Sequence, residues 1–348
     1  MFEIQGKNLG CGYPPYIVAE LSANHNGEIQ KAKKAIACAK KAGADAIKIQ
    51  TYTPDTMTFD TEKPDFVVQE GLWKGRTLYD LYNEAHTPYE WHQELFDYAR
   101  KIGITLFSSP FDESAVDLLE ELNSPAYKIA SFEITDHSLI KYAAKKMKPM
   151  LLSTGMANLQ EIGEAIECCK ELGNHQILLF HCISEYPANT RSMKLGDIKY
   201  LKDHFNLEIG LSDHSESNLA AVLSVAIGAS AIEKHFKIVD DDDGPDSAFS
   251  LLPNELEDLV NDCRLAFEAT RSNKLQRSKS EKSNKIFRRS LYFSKNLEPG
   301  HIITEDDIRR VRPGYGLNAN LYDEIIGRKV QTSVERADRV SWDHLELE

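Results

Sequence analysis

Cysteine is scarce and scattered in this chain, with six in 348 residues at positions 11, 38, 168, 169, 182 and 263. None has metal-type spacing, and only Cys168 and Cys169 are adjacent, which excludes a disulfide scaffold and a small zinc module. That vicinal pair lies in a helical pattern and reads as core packing. No apolar run is long enough to span a bilayer, and the start, MFEIQGKNLG, has no signal-peptide core. A cytoplasmic enzyme without a membrane partner is the expectation. Basic residues are in the minority, 41 Lys and Arg against 54 Asp and Glu, a formal net charge of −13. Such a chain repels nucleic acid and anionic lipid, and an anionic substrate would need a local cluster of lysines. A Gly-rich dinucleotide fingerprint is also missing.

What is present is a regular alternation. Strand-like runs occur at 17–21, 46–52, 105–111, 126–131, 149–155, 177–182, 207–214 and 231–236. Amphipathic helical patterns separate most of them, including KAKKAIACAKKAGA at 31–44, where Gly43 suits a C-terminal cap. Further helices are expected over 88–103, 113–123, 137–148, 159–173, 218–228 and 254–271. Eight βα units within about 270 residues is the count and size of a TIM (β/α)8 barrel, with an open doubly wound sheet as the alternative. The segment 53–87 is too long for an ordinary βα loop. It reads either as a binding loop, rich in aromatics and carrying Arg76, or as a peripheral helix. The run RSNKLQRSKSEKSNKIFRR reads as a linker, and DDDD at 240–243 as a solvated loop. The expected domains are a barrel over 1–270, a linker over 271–286 and a small module over 287–348. That module shows a strand-like start, a Pro-Gly turn and a short helix capped by Thr304 with Asp307. At about 60 residues it is small for an independent core and is expected to pack on something.

In a parallel barrel, chemistry collects at the C-terminal ends of the strands. Those ends here carry Glu20; Lys48 and Gln50; Ser109; Lys128, Ser131 and Glu133; Ser153; Tyr186; Ser212 and His214; and Glu233 and His235. A lone serine near a strand end is ordinary turn chemistry. Lysines inside strands, in IKIQ and YKIA, must instead face a polar mouth or find partners. Lys48 and Lys128 with several hydroxyls can cradle phosphate and carboxylate. The glutamates are candidate bases, and two imidazoles on consecutive units can share a metal.

The ordered segments AELSANHNG, GADAIKIQTY, AYKIAS, STGM, GLSDHS, IEKHF and GPDSAFSL resemble the sialic acid synthase family over essentially the whole chain. The resemblance implies a TIM barrel followed by an antifreeze-like (SAF) domain, in a domain-swapped homodimer. It implies condensation of phosphoenolpyruvate with an acetamido sugar, in which C3 of phosphoenolpyruvate attacks the aldehyde. Water then adds at C2 and phosphate leaves by C–O cleavage. His214 and His235 would bind a divalent ion, Mn²⁺ or Mg²⁺, that polarises the aldehyde. Lys48, Gln50, Ser109, Lys128, Ser131, Ser153 and Ser212 would bind phosphoenolpyruvate. Glu20 and Glu133, with the histidines, would be catalytic. Tyr186, Asp246 and Arg312 (the last from the SAF domain of the partner chain) would contact the sugar. The SANHNG form, KIQTYTPDT, GLW..R.LYDLY and TPYEWH resemble the pseudaminic acid branch, whose acceptor is 2,4-diacetamido-2,4,6-trideoxy-L-altropyranose. The N-acetylneuraminate branch usually reads EIGINH where this chain has ELSANH, and often has Asn where it has Ser184. Legionaminate and N-acetylneuraminate synthesis are the alternatives. A 3-deoxy-octulosonate 8-phosphate synthase shares barrel and donor but has no SAF tail. A catalytically silent sugar-binding barrel is the alternative of a different class.

Overall fold

The computed structural model describes residues 2–239, 244–271 and 276–346. The DDDD segment read as a solvated loop lies outside them. The chain divides into two compact units, Met1–Arg271 and Ser272–Glu348.

The first unit opens with an antiparallel hairpin, β1 (Phe2–Ile4) and β2 (Lys7–Leu9). Eight parallel strands follow: β3 (Tyr16–Glu20), β4 (Ala46–Thr51), β5 (Thr105–Pro110), β6 (Tyr127–Ile129), β7 (Met150–Ser153), β8 (Ile177–Cys182), β9 (Glu208–Asp213) and β10 (Ala231–His235). They pair in chain order, and β10 closes on β3, so the sheet is a closed barrel. The eight expected runs are thus the eight barrel strands, and the doubly wound alternative falls away.

The period-two alternation of a strand sorts the side chains into two cores. Ile17, Ile47, Ile129, Leu152, Leu179, Ile209 and Ile232 face the surrounding helices. Val18, Ala46, Phe107, Ala126, Leu151, Leu178, Phe180 and Ala231 fill the barrel interior, together with Ile4 and Leu9 of the hairpin. The hairpin therefore stops the N-terminal end of the barrel with apolar side chains. Two residues further along the same inward rows stand Glu20, Lys48, Ser109, Lys128, Ser153, Cys182, Ser212 and Glu233, so the interior turns polar toward the C-terminal mouth.

The helices lie close to their expected places. Ile29–Ala42 ends on Gly43 at φ +89°, and Leu159–Lys170 starts with a capping box between Asn158 and Glu161. One barrel helix, Gly196–Phe205, was not expected. It buries only Ile198 and Leu201 and lacks a side-chain N-cap, so its periodic signal is weak. Cys168 and Cys169 are buried in the helical layer, and the Cys169 thiol is pushed up to about 12 by burial.

The second unit has its own core, with Leu291, Phe293, Ile303, Ile308, Ile325, Val330 and Val340 among its members. Its sheet pairs β11 (Ser290–Phe293) with β12 (Ile308–Val311) in antiparallel fashion. The helix expected from Thr304 is a single turn. Asp307 Oδ2 does accept from Thr304 N and Oγ1, both at 2.7 Å, as a cap would. The fully buried Asp307 also holds Lys295 and His301, and the next residue, Ile308, already enters β12. The turn is stopped by sheet pairing.

Candidate active site

The inward polar layer is a connected group of charges. Lys48 Nζ lies 2.8 Å from Glu20 Oε2, 3.8 Å from Glu233 Oε2 and 3.2 Å from Ser109 Oγ. Lys128 Nζ donates to Glu233 Oε1 at 2.8 Å, and Ser212 Oγ donates to the same oxygen at 3.0 Å. Gln50 Nε2 bridges Glu20 at 3.3 Å and Ser22 at 3.0 Å. All four charged side chains are buried. Burial would raise both carboxylates, but the outcomes differ. Glu233 faces two ammonium groups, which override burial and hold it down at about 2. Glu20 has chiefly Lys48 to oppose burial and the repulsion of Glu233, and it is raised to about 7. One carboxylate is thus fixed as an anion while its neighbour titrates near neutrality.

Next to this group, Ser131 Oγ lies 2.9 Å from Cys182 Sγ and accepts from Gly155 N at 3.2 Å. A Cβ on Gly155 would stand 2.8 Å from both of those side-chain atoms and 2.1 Å from Ser184 Oγ. Only glycine lets the β7 loop of STGM approach that closely. Ser153 is buried on β7 and belongs to the same inward layer.

The two histidines stand above the charges, with ring centroids 5.4 Å apart. His214 Nδ1 lies 3.0 Å from the Ile183 carbonyl and donates to it, which leaves Nε2 as an acceptor. His235 Nδ1 is buried with no hydrogen-bond partner among the described residues and lies 3.9 Å from Asp246 Oδ2. Burial lowers both imidazoles, His235 strongly, so both are neutral and able to ligate. An orphaned ring nitrogen beside a second free one fits a divalent ion. The two imidazoles would supply part of a coordination shell, since the described residues hold no cluster of three or more His, Cys, Asp or Glu arranged for a metal. Phe249 and Tyr186 wall the pair, with centroids 4.8 Å from His235 and 4.4 Å from His214 respectively.

A cavity of about 390 Å³ opens over these groups. Its polar side is formed by Ser22, Gln50, Glu133, Tyr186, His235 and Asp246. Glu133 Oε2 is buried without a hydrogen-bond partner among the described residues, and burial raises its carboxyl to about 7. Burial also raises Asp246, against a hydrogen bond from Ser22. The opposite side comes from the 53–87 segment, which contains a helix, Leu78–Ala85, and that helix forms part of the cavity wall. Arg76 does not face the cavity. It is bound within the segment to Glu84 Oε2 at 2.6 Å.

Lys234 is not among the strand-end candidates named from the sequence. It points out of the barrel and is fully buried against Asp213, 2.8 Å away. It also donates to the carbonyls of Ser215 at 2.5 Å and Ser217 at 2.9 Å. These bonds hold the loop that begins with His214. The alternation itself marks Lys234, because a lysine on the outward face of a barrel strand must enter the helical layer. Behind the cavity-lining Ser22, the rest of SANHNG packs on TPYEWH. His25 meets Trp91 edge-on at 5.4 Å, and Asn24 Nδ2 bonds Phe236 O at 2.9 Å and Ser250 Oγ at 2.8 Å. His92 joins Thr51 at 2.8 Å. TPYEWH therefore shapes the β4 and β5 ends without lining the cavity.

The barrel brings together Glu20, Lys48, Gln50, Ser109, Lys128, Ser131, Glu133, Ser153, Tyr186, Ser212, His214, His235 and Asp246. Arg312 belongs to the second unit, where it borders an open hollow with Arg289, Arg309, Arg310 and Tyr322.

Residues 35–274 match the model of the NeuB family, and residues 288–346 match that of the SAF domain. The chain belongs to the NeuB family. The resemblance drawn from the ordered motifs is borne out, as is the SAF tail. A pseudaminic acid synthase of Campylobacter jejuni subsp. jejuni (strain 81-176) is 45% identical over 331 residues, covering 95% of this chain and 96% of that protein. The pseudaminic acid synthase of Helicobacter pylori is 41% identical over 338 residues, covering 96% and 98%. An N,N'-diacetyllegionaminic acid synthase of Campylobacter jejuni is 37% identical over 327 residues, covering 93% and 98%. This NeuB-family chain thus matches both pseudaminic acid relatives more closely than the legionaminic one. No helix among the described residues is long and apolar enough to cross a membrane.

Proposed function

We propose that this NeuB-family protein is a pseudaminic acid synthase, a transferase that condenses phosphoenolpyruvate with 2,4-diacetamido-2,4,6-trideoxy-L-altropyranose and releases phosphate. The observation that carries the reading is the two-part mouth of the barrel, a buried lysine and serine cradle below a neutral histidine pair. Lys48 and Lys128, with Ser109, Ser131, Ser153 and Ser212, hold the phosphate and carboxylate of the donor, in a chain whose net charge would otherwise repel it. Gln50 orients Glu20 at the same floor. C3 of phosphoenolpyruvate forms the new bond to the acceptor's aldehyde carbon. Water supplies hydroxide to C2 and, in balance, a proton to the new alkoxide, and the C2–O bond to phosphate breaks. Glu20 and Glu133, both near neutrality, hold or release the protons of these steps. Tyr186 and Asp246 face the sugar.

His214 and His235 would hold a divalent ion, Mn²⁺ in preference to Mg²⁺ on imidazole ligands, which supplies Lewis-acid polarisation of the aldehyde. Arg312 of a partner chain completes the sugar site in a domain-swapped homodimer. Phosphate release from phosphoenolpyruvate with the diacetamido sugar, N-acetylmannosamine or arabinose 5-phosphate tests the reading, with and without a chelator. Release with the diacetamido sugar that stops on chelation is expected. No release with any acetamido sugar and metal present would refute it, and a preference for arabinose 5-phosphate would place the chain with sugar-phosphate synthases.

A further inference from the structure

The two sides of the cavity differ in chemistry. The polar side carries the reacting groups. The other side is made by the 53–87 segment, whose side chains at the cavity are Met57, Val68, Trp73, Leu78, Leu81, Tyr82 and Ala85, none of them charged. The segment is fixed to the reacting side by Trp73. Its Nε1 donates to the carbonyl of Pro245 at 3.1 Å, beside Asp246, and its ring lies 6.0 Å from Tyr186. The segment's one arginine is tied to Glu84 and is not among the residues that line the cavity.

We propose that this wall is the specificity element for the acceptor. It receives the methyl groups that distinguish a diacetamido-trideoxy sugar, those of the distal acetamido group and of C6. This rests on the function proposed above. A polyhydroxylated arm would place hydroxyls against Val68 and Leu78, where they lose water without gaining a partner. A 6-deoxy, acetamido-bearing arm buries methyls there instead. Discrimination by apolar contact of this kind is worth roughly 10–200-fold in kcat/KM.

The test compares Val68→Thr, which preserves shape, and Leu78→Gln with the full-length wild-type chain. Three kinetic sets are measured: the diacetamido sugar, N-acetylmannosamine, and phosphoenolpyruvate. Each variant is expected to lose about tenfold in kcat/KM for the diacetamido sugar. The preference over N-acetylmannosamine shrinks by the same factor, and KM for phosphoenolpyruvate stays within about twofold. Unchanged phosphoenolpyruvate KM also shows that the site has folded. If wild type prefers the diacetamido sugar and both variants keep that preference in full, the wall is not the selector and the proposed function stands. If wild type prefers N-acetylmannosamine, the proposed acceptor and the wall's assignment both fall.

Discussion

Replacing Lys234 by methionine tests how the barrel holds its histidine loop. Both Lys234 and Asp213 are fully buried, 2.8 Å apart. The methionine fills most of the lysine stem's volume, so the perturbation is mainly one of charge. It leaves the Asp213 carboxylate without its cation and the Ser215 carbonyl without its lysine donor, while the Ser217 carbonyl keeps only Ser215 Oγ at 3.2 Å. Removing one partner of a buried pair costs about 3–5 kcal/mol. In a unit of this size that corresponds to a fall in Tm on the order of 6–20 °C. Adding Asp213→Asn removes the stranded charge while keeping an acceptor for Ser215 N, a bond now 2.9 Å long. The double variant is therefore expected to recover roughly 2 kcal/mol or more. Because His214 begins the released loop, kcat is expected to fall at least about tenfold while KM for phosphoenolpyruvate moves less. Urea unfolding of the two single variants and the double closes the cycle. A Lys234→Met protein within about 1 kcal/mol of wild type, or a double variant no better than the single, would refute the reasoning.

Other expectations are more local. His214→Ala and His235→Ala each abolish phosphate release with the circular dichroism spectrum retained, and near-normal turnover in either would remove the metal role. Arg312→Ala raises KM or lowers kcat for the sugar more than it affects phosphoenolpyruvate, and unchanged sugar kinetics would count against closure by the SAF domain. Glu133→Gln changes the pH dependence of stability. Burial raises this carboxyl from the ordinary 4.5 to about 7 in the folded chain. Its favourable contribution is thus complete below the unfolded pKa and lost as pH rises through about 7. Wild type therefore sheds about 2–3 kcal/mol from this group between pH 4.5 and 8, and the glutamine variant does not. Urea midpoints at pH 5 and pH 8 that shift in parallel for the two proteins would contradict this.

The barrel was legible because burial on both faces leaves eight short apolar runs, separated by amphipathic helices with clear caps. Helix Gly196–Phe205 escaped notice because only Ile198 and Leu201 mark its buried face. The N-terminal hairpin escaped because its strands are three residues each, and their role depends on the distant interior row of Phe107, Leu178 and Phe180. Site membership was readable where a polar residue occupies an inward row: Lys48 and Lys128 announce the cradle by their cost inside a strand. The pairing was not readable. That Glu233 serves both lysines while Glu20 titrates near neutrality depends on strands far apart in the chain meeting across the interior. Of the segments that resemble the pseudaminic acid branch, TPYEWH stays off the cavity, whereas GLW..R.LYDLY supplies Trp73, Leu78, Leu81 and Tyr82 to its wall.

The most direct test of the account is the mass of the product formed when the protein receives phosphoenolpyruvate, Mn²⁺ and an equal mixture of three acceptors. These are 2,4-diacetamido-2,4,6-trideoxy-L-altropyranose, its legionaminate-type counterpart with the D-mannose configuration, and N-acetylmannosamine. The first two give products of equal mass, so the L-altro sugar is supplied with ¹³C-labelled acetyl groups. The account predicts a single nonulosonic acid carrying the label, with one phosphate released per product. An unlabelled nonulosonic acid as the main product, or phosphate release with none, would contradict it.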